Sequence, residues 1–331
     1  MTATMDHTTT PGDAPQQKRR RRPATPKPKP APTAKAKAAR SRTRTPAPQG
    51  PPGTAESTAM VLSTAFTMIA IVCLWVAVQL LFLSSVSQDR AQGLLYDDFR
   101  HQLGGATAPV GPTVPVGDPV ALLSVPSIGL EQVVVEGTAS GDLLVGPGHR
   151  RDTPLPGQVG SSVVYGRATT YGGPFGELTS LDKGDKIEVT VGQGPVVFTV
   201  SGVRRAGDPL PQPPAAGAAR LTLVTAEGSG RLGPLAPESV VYVDADAEEG
   251  YPAPSGRASA VPESEQSMAR DTSALPLLAL CLALLLALTL GVIAARQRWS
   301  TALVWVVSAP LVIALAWATT DVVMRLLPNL I

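Results

Sequence analysis

Three long runs without a charged residue constrain this chain more than any other feature. Residues 59–83, 274–295 and 301–319 contain no Asp, Glu, Lys or Arg. At about 1.5 Å of helix rise per residue, runs of roughly 20 residues cross the ~30 Å hydrocarbon layer of a bilayer. The first run exceeds the roughly 7–15-residue apolar stretch of a secretory signal, so it reads as a retained anchor. The expectation is three transmembrane helices, with the remaining residues divided between two aqueous sides.

Charge assigns the sides. The 331-residue chain has 28 Lys and Arg against 26 Asp and Glu, yet 12 of the basic residues and two of the acidic ones fall in the first fifty. The rest is net acidic, with 16 basic against 24 acidic residues. A basic run at 18–22 precedes the first span, and Arg296 and Arg298 occupy the short turn between the second and third. Basic flanks stay on the cytoplasmic side. This predicts a multi-pass protein of the cell membrane with a cytoplasmic N-terminus, residues 84–273 outside, a tight cytoplasmic turn, and a tail at 320–331 outside. Trp299 and Trp317 suit interface anchors, Pro310 predicts a kink, and Asp321 and Arg325, four apart, predict a helical ion pair at the outer interface. Residues 1–58 are Pro, Ala, Thr, Lys and Arg with almost no large apolar side chain, and are expected to be a disordered arm. Its charge suits anionic membrane lipid, and its lack of aromatics for base stacking argues against nucleic acid.

The outer segment changes character along its length. Residues 84–118 read as a linker with a short helix near 88–102, and residues 246–273 as a second linker back to the membrane. Between them, at 119–245, short β-rich runs recur between Gly, Pro, Asp and Ser: 120–125, 132–136, 162–165, 186–191, 196–203, 220–225 and 239–244. Ile187, Val189 and Val191 alternate as on a half-buried strand. Seven or eight such strands predict a small antiparallel sandwich or barrel. The two cysteines, Cys73 and Cys281, lie in apolar runs, so the strand domain has no disulfide, thiolate metal site or thiol nucleophile. One histidine, His149, and scattered carboxylates show no metal-ligand spacing, and neither a metal nor another cofactor is expected.

Five blocks of this domain resemble the sortase family, and most closely its actinobacterial class E type. They are the opening at 120–130 followed by Val133-Val134-Val135-Glu136-Gly137; Gly146-Pro147-Gly148-His149 followed by Thr153-Pro154-Leu155-Pro156-Gly157; residues 165–175, similar to a family block Gly-His-Arg-Thr-Thr-Tyr-Gly-x-Pro-Phe; Leu181-Asp182-Lys183-Gly184-Asp185; and Leu221-Thr222-Leu223-Val224-Thr225, similar to a strand that in the family ends in Thr-Cys. The resemblance covers about 119–243 and implies a mainly β fold, an eight-stranded sortase-like barrel beside the three membrane helices.

The same blocks depart from the family where its chemistry resides. The place of the catalytic Cys holds Ala226, and that of the catalytic His holds Arg167. The family Arg at the start of the last strand falls near Glu238 and Ser239, and the nearest Arg, Arg231, is several residues too early. An alanine methyl has no lone pair with which to attack a carbonyl. An arginine, with a pKa above about 12, does not trade protons at neutral pH. The resemblance with these departures implies no catalytic residue, and a pseudoenzyme that binds a surface or secreted polypeptide, or a partner sortase. Candidate groove residues are His149, Arg167, Thr225, Ala226 and Arg231. Two alternatives stay open: an active transpeptidase using Thr225 or Ser229 with His149, and a structural component of a membrane assembly. Arg167 either holds an anion at the cleft floor or pairs with Glu227 or another nearby acid. The proline-rich stretch 208–214 either walls a peptide groove or caps the barrel.

Overall fold

The computed structural model describes residues 70–111, 114–228 and 237–331, together with Ser63 and Phe66. The expected disordered arm and the beginning of the first span lie outside the described residues, as do Ser229 and Arg231.

From Ala70 the chain is helical, passes through a π-turn at Gln79–Leu83 and continues as helix α1, Ser84–Gly104. The linker expected over 84–118 is therefore mostly helix, and longer than the short helix predicted at 88–102. Its contact face combines Gln88, Gln92, Leu95, Tyr96, Phe99 and Leu103, positions that share one side of a helix. Gln92 acts as a strand edge would. Its Oε1 accepts from Val133 N at 2.7 Å, and its Nε2 donates to Val145 O at 2.7 Å and Val133 O at 3.1 Å. Because amides replace hydrocarbon along much of this face, the helix shows little apolar periodicity and reads as linker. Gln92→Ala leaves one N–H and two carbonyls short of a partner, at about 1–3 kcal/mol for each group that stays unpaired before water compensates. The expected result is a loss of about 2 kcal/mol in denaturant unfolding, with faster amide exchange over 84–104.

Eight strands follow: β1 Pro119–Val125, β2 Leu130–Glu136, β3 Gly148–His149, β4 Gly160–Tyr165, β5 Lys186–Val191, β6 Gly194–Arg205, β7 Ala219–Glu227 and β8 Ser239–Ala247. They close into one barrel in the order β1-β2-β3-β4-β7-β8-β6-β5. Two pairs, β2–β3 and β4–β7, are parallel. The predicted alternation in β5 holds: Ile187, Val189 and Val191 are buried, and Phe198, Leu221, Leu223 and Val243 from three other strands join them in the main core. The β1–β2 turn needs a left-handed residue and has Gly129, at φ 64°.

Beyond β8 the chain stays on the barrel. Gln158 bridges Tyr251, and Val159 N donates to Tyr251 O at 2.9 Å. Glu265 is buried, with its main-chain oxygen accepting from Thr138 Oγ1 at 2.7 Å and its carboxylate from Arg151 Nε at 3.0 Å. The segment expected to be a linker back to the membrane over 246–273 is thus partly docked on the barrel. Beside it, Asp142 accepts from Ala139 N at 3.1 Å, and burial pushes its pKa up to about 6 against the pull of that hydrogen bond, with Glu265 adding to the rise. An acid raised in this way favours the folded state while it is protonated. Its stability contribution is fully present below the ordinary aspartate range, near pH 4, and is lost as pH rises through about 6. Moving the parent from pH 4 to pH 7.5 should therefore cost on the order of 2 kcal/mol more than it costs Asp142→Asn, read as the difference in denaturant midpoints.

Two helices complete the described chain: α2, Leu275–Arg296, and α3, Thr301–Arg325. Among the described residues, two helices are long and apolar enough to cross a membrane, Thr272–Arg296 and Ala302–Arg325, where the sequence predicts three spans. The run 59–83 falls partly outside the described residues, and its helix continues without a break into polar α1. The side chains of α2 and α3 are apolar and largely exposed, including Leu284, Leu286, Leu290, Trp305, Val306 and Ile313. Ser300 caps α3 by accepting from Leu303 N at 3.4 Å. The third span extends past its expected end at 319 to Arg325.

Candidate functional site

The parallel pairing of β4 with β7 brings together two positions far apart in sequence. Gly160 lies beside Ala219, and the register runs unbroken to Tyr165 beside Val224. Gly166 N extends it by donating to Val224 O at 3.0 Å. Continuing the same offset places Arg167 beside Ala226, so the two departures seen in the sequence share one rim of the barrel. Strand alternation decides which face they take. Leu221 and Leu223, of the same parity as Thr225, belong to the main core, whereas Val224 and Ala226 join Tyr165 in a second cluster on the other face. Gly166 is required here by close approach, because a Cβ would meet the Phe175 ring at 2.4 Å.

Arg167 is fully buried. A guanidinium has five N–H donors in a fixed fork, and this one has five hydrogen-bond partners. Nε donates to Leu143 O at 3.2 Å, Nη1 to Thr170 Oγ1 and Ile331 O at 3.0 Å each, and Nη2 to Ser140 O at 2.9 Å and Ser140 Oγ at 2.8 Å. Its face sits 5.6 Å from the Tyr171 ring centre. Burial lowers its pKa to about 10, with Tyr171 opposing the shift, so it stays charged at neutral pH. None of these hydrogen bonds goes to an Asp or Glu side chain. The expected pairing with Glu227 is not formed, because Glu227 takes a fork from Arg205, at 2.6 Å to Nε and 3.0 Å to Nη2. The reason is geometric: Glu227 lies at the end of β7 toward exposed Arg205 of β6, while Arg167 turns into the wall formed by residues 140–143.

Ala226 offers only a methyl group, packed with Leu143, Tyr165, Val224 and Leu330. Across the β7–β8 ladder its neighbour is Val240, and Ser239 lies opposite Glu227, so β8 brings no guanidinium to this point. Arg231 lies outside the described residues. Thr225 is buried, and among the described residues its Oγ1 has no hydrogen-bond partner.

His149 is engaged elsewhere. On neighbouring positions of β2 and β3, its Nδ1 meets Glu136 Oε2 at 2.8 Å, and its Nε2 meets Pro154 O at 2.8 Å and Thr153 Oγ1 at 3.1 Å. The Thr153 hydroxyl donates to Arg150 O at 2.7 Å, so its proton is already committed. The described residues therefore hold no hydroxyl–imidazole pair that joins His149 to Thr225. They also hold no cluster of three or more His, Cys, Asp or Glu able to bind a metal.

The cleft is covered by residues that sequence reasoning treated as a tail. Leu330 is fully buried in the Ala226 cluster, and its carbonyl accepts from Ala168 N at 3.0 Å. Asn329, also fully buried, donates through Nδ2 to Thr138 O and Gln266 O, at 2.8 Å each. The C-terminal end of α3 is bound to the same wall. Tyr171 OH donates to Asp321 Oδ1 at 2.6 Å, and Ser140 Oγ to Met324 O at 3.1 Å. Burial and Asp321 both push the Tyr171 pKa upward. The expected Asp321–Arg325 ion pair is accordingly absent among the described residues; Asp321 faces the barrel instead. No sequence signal marked Ser140, Asn329 or Leu330, and Thr170 fell in the family-like block at 165–175 without a role assigned to it.

A closed eight-stranded barrel with its β4 and β7 rims meeting at a cleft is the architecture that the sequence blocks imply. Residues 123–242 match the family model described as the Sortase domain, so this stretch of the barrel is similar to a sortase domain. Sortase D of Bacillus subtilis is 32% identical over 84 residues, 25% of this chain and 41% of that protein. The chain thus spans about two fifths of that curated relative. Among solved structures, a Clostridium perfringens sortase D5 transpeptidase is 18% identical, covering 48% of this chain and 98% of its own, with a TM-score of 0.40. A sortase E mutant from Streptomyces avermitilis is 23% identical, covering 46% and 100%, with a TM-score of 0.34.

Proposed function

We propose that this chain is a membrane-anchored, extracytoplasmic member of the sortase family, of the class E type, that has lost transpeptidation and acts by binding polypeptide. One observation carries the reading: Arg167 and Ala226 share the cleft rim, and all five Arg167 N–H groups are committed to structural acceptors. A thiolate attack needs a sulfur at the Ala226 position and a proton-exchanging group beside it. This pair supplies a methyl and a fully engaged cation. The apolar, exposed helices α2 and α3 support anchoring, and the basic residues flanking the spans support a cytoplasmic N-terminus with the barrel outside. The partner is a surface or secreted polypeptide, or a partner sortase.

A second reading, a structural component of a membrane assembly, draws support from the bonds that join α3 to the barrel wall at Tyr171 and Ser140. Mass spectrometry of the full chain in nanodiscs, with sorting-signal peptides and an amine acceptor, tests the loss of chemistry. Unchanged peptide is expected. Cleavage or transfer would restore the enzyme reading and direct attention to Thr225. A barrel replaced by an unrelated outer domain without loss of phenotype would favour the structural role.

A further inference from the structure

We propose that the cleft at Arg167 and Ala226 is a receptor for a short polypeptide turn with an apolar anchor, and that residues 328–331 of the same chain are its resident ligand. This rests on the non-catalytic reading above and names the polypeptide. The segment closes a turn, with Ile331 N donating to Pro328 O at 3.3 Å. Each of its last three residues is recognised separately. Asn329 N donates to Ala269 O at 3.0 Å, and the Asn329 amide reaches Thr138 O and Gln266 O. The Leu330 side chain enters the cluster of Leu143, Tyr165, Val224 and Ala226, while its carbonyl takes Ala168 N. The Ile331 oxygen accepts from both Arg167 Nη1 and Thr170 Oγ1.

The two departures from the family pattern suit this ligand. Ala226 contributes a methyl to the pocket that Leu330 fills, with no polar atom to desolvate. Arg167 contributes a donor to the Ile331 main-chain oxygen from a group that keeps its charge throughout the physiological range. The cleft is thereby chemically fitted to hold a chain rather than to cut it. Through α3, the bound turn also fixes the barrel to the membrane helices.

The test uses the full chain in nanodiscs. Hydrogen exchange should find the Asn329 and Ile331 amides protected in the parent, and a fluorescent peptide Leu-Leu-Pro-Asn-Leu-Ile should bind no better than a scrambled one, because the site is filled. Leu330→Asp should release the segment and raise peptide capture at least tenfold. Adding Thr170→Val, which removes one donor to Ile331 O, should weaken that capture severalfold. If Leu330→Asp lowers the barrel's melting transition, Asn329→Ala serves as the releasing variant. Unprotected amides in the parent would overturn the proposal, as would failure of a released but folded variant to capture the peptide. Peptide recovered intact but unbound overturns the receptor alone. Peptide recovered cleaved overturns the non-catalytic function on which it rests.

Discussion

Arg167→Ala should melt roughly 6–12 °C below the parent, at about 2–4 °C per kcal/mol for a domain of this size. The guanidinium, itself fully buried, donates to Leu143 O, Ser140 O, Thr170 Oγ1 and Ile331 O. Each acceptor left unpaired costs about 1–3 kcal/mol. Two effects work against the simple sum. Water entering the vacated space satisfies some acceptors, and the substitution removes the cost of burying a charge, the same cost that lowers the Arg167 pKa to about 10. A net loss of about 3 kcal/mol is therefore expected. Arg167→Lys keeps the charge but offers three donors without a planar fork, and should fall between the two. Thermal unfolding in one detergent, read by circular dichroism, decides the matter; an unchanged melting temperature for Arg167→Ala would mean that the five-bond clamp does not form in solution.

His149→Ala should cost about 3 kcal/mol, the upper end of the range for a buried polar group that loses its hydrogen-bond partner. The Glu136 side chain is 3% exposed and its Oε2 lies 2.8 Å from His149 Nδ1, so removing the imidazole leaves a buried carboxyl group without that partner. The double change Glu136→Gln with His149→Ala should cost less than His149→Ala alone, because a neutral amide tolerates the dry site. Denaturant unfolding of the two single variants and the double variant closes the cycle. Were His149 a general base, its removal would abolish turnover and leave stability nearly unchanged. The parent's bonding to Glu136 and Pro154 predicts the opposite pattern.

Much of the barrel was legible because its signals are local. Alternation at Ile187, Val189 and Val191 has a period of two, and a half-buried strand imposes that period directly. The apolar composition of 274–295 and 301–319 likewise speaks for itself. Helix α1 was obscured because Gln88 and Gln92 occupy its contact face, and a glutamine that serves as a strand-edge partner looks like any solvent-exposed glutamine in sequence. The docking of 246–273 and 326–331 was hidden for a related reason. Their composition is that of linkers, and their attachments run through main-chain oxygens of Thr138, Ala269 and Gln266, which every residue possesses.

The candidate site divides along the same line. That the strand domain lacks a thiol, and that Ala226 and Arg167 stand where the family resemblance expects chemistry, follow from residue identity alone, because side-chain chemistry needs no coordinates. That these two positions adjoin required the parallel register of β4 with β7, which pairs Tyr165 with Val224 across 59 positions of chain. That Arg167 binds carbonyls rather than Glu227 required the placement of Ser140, Leu143 and Ile331 around it. Sequence by itself determined which groups this protein can deploy. Only the tertiary structure decided which acceptors they meet, since hydrogen-bond partners distant in the chain are set by packing, and packing brought residues 328–331 to the cleft.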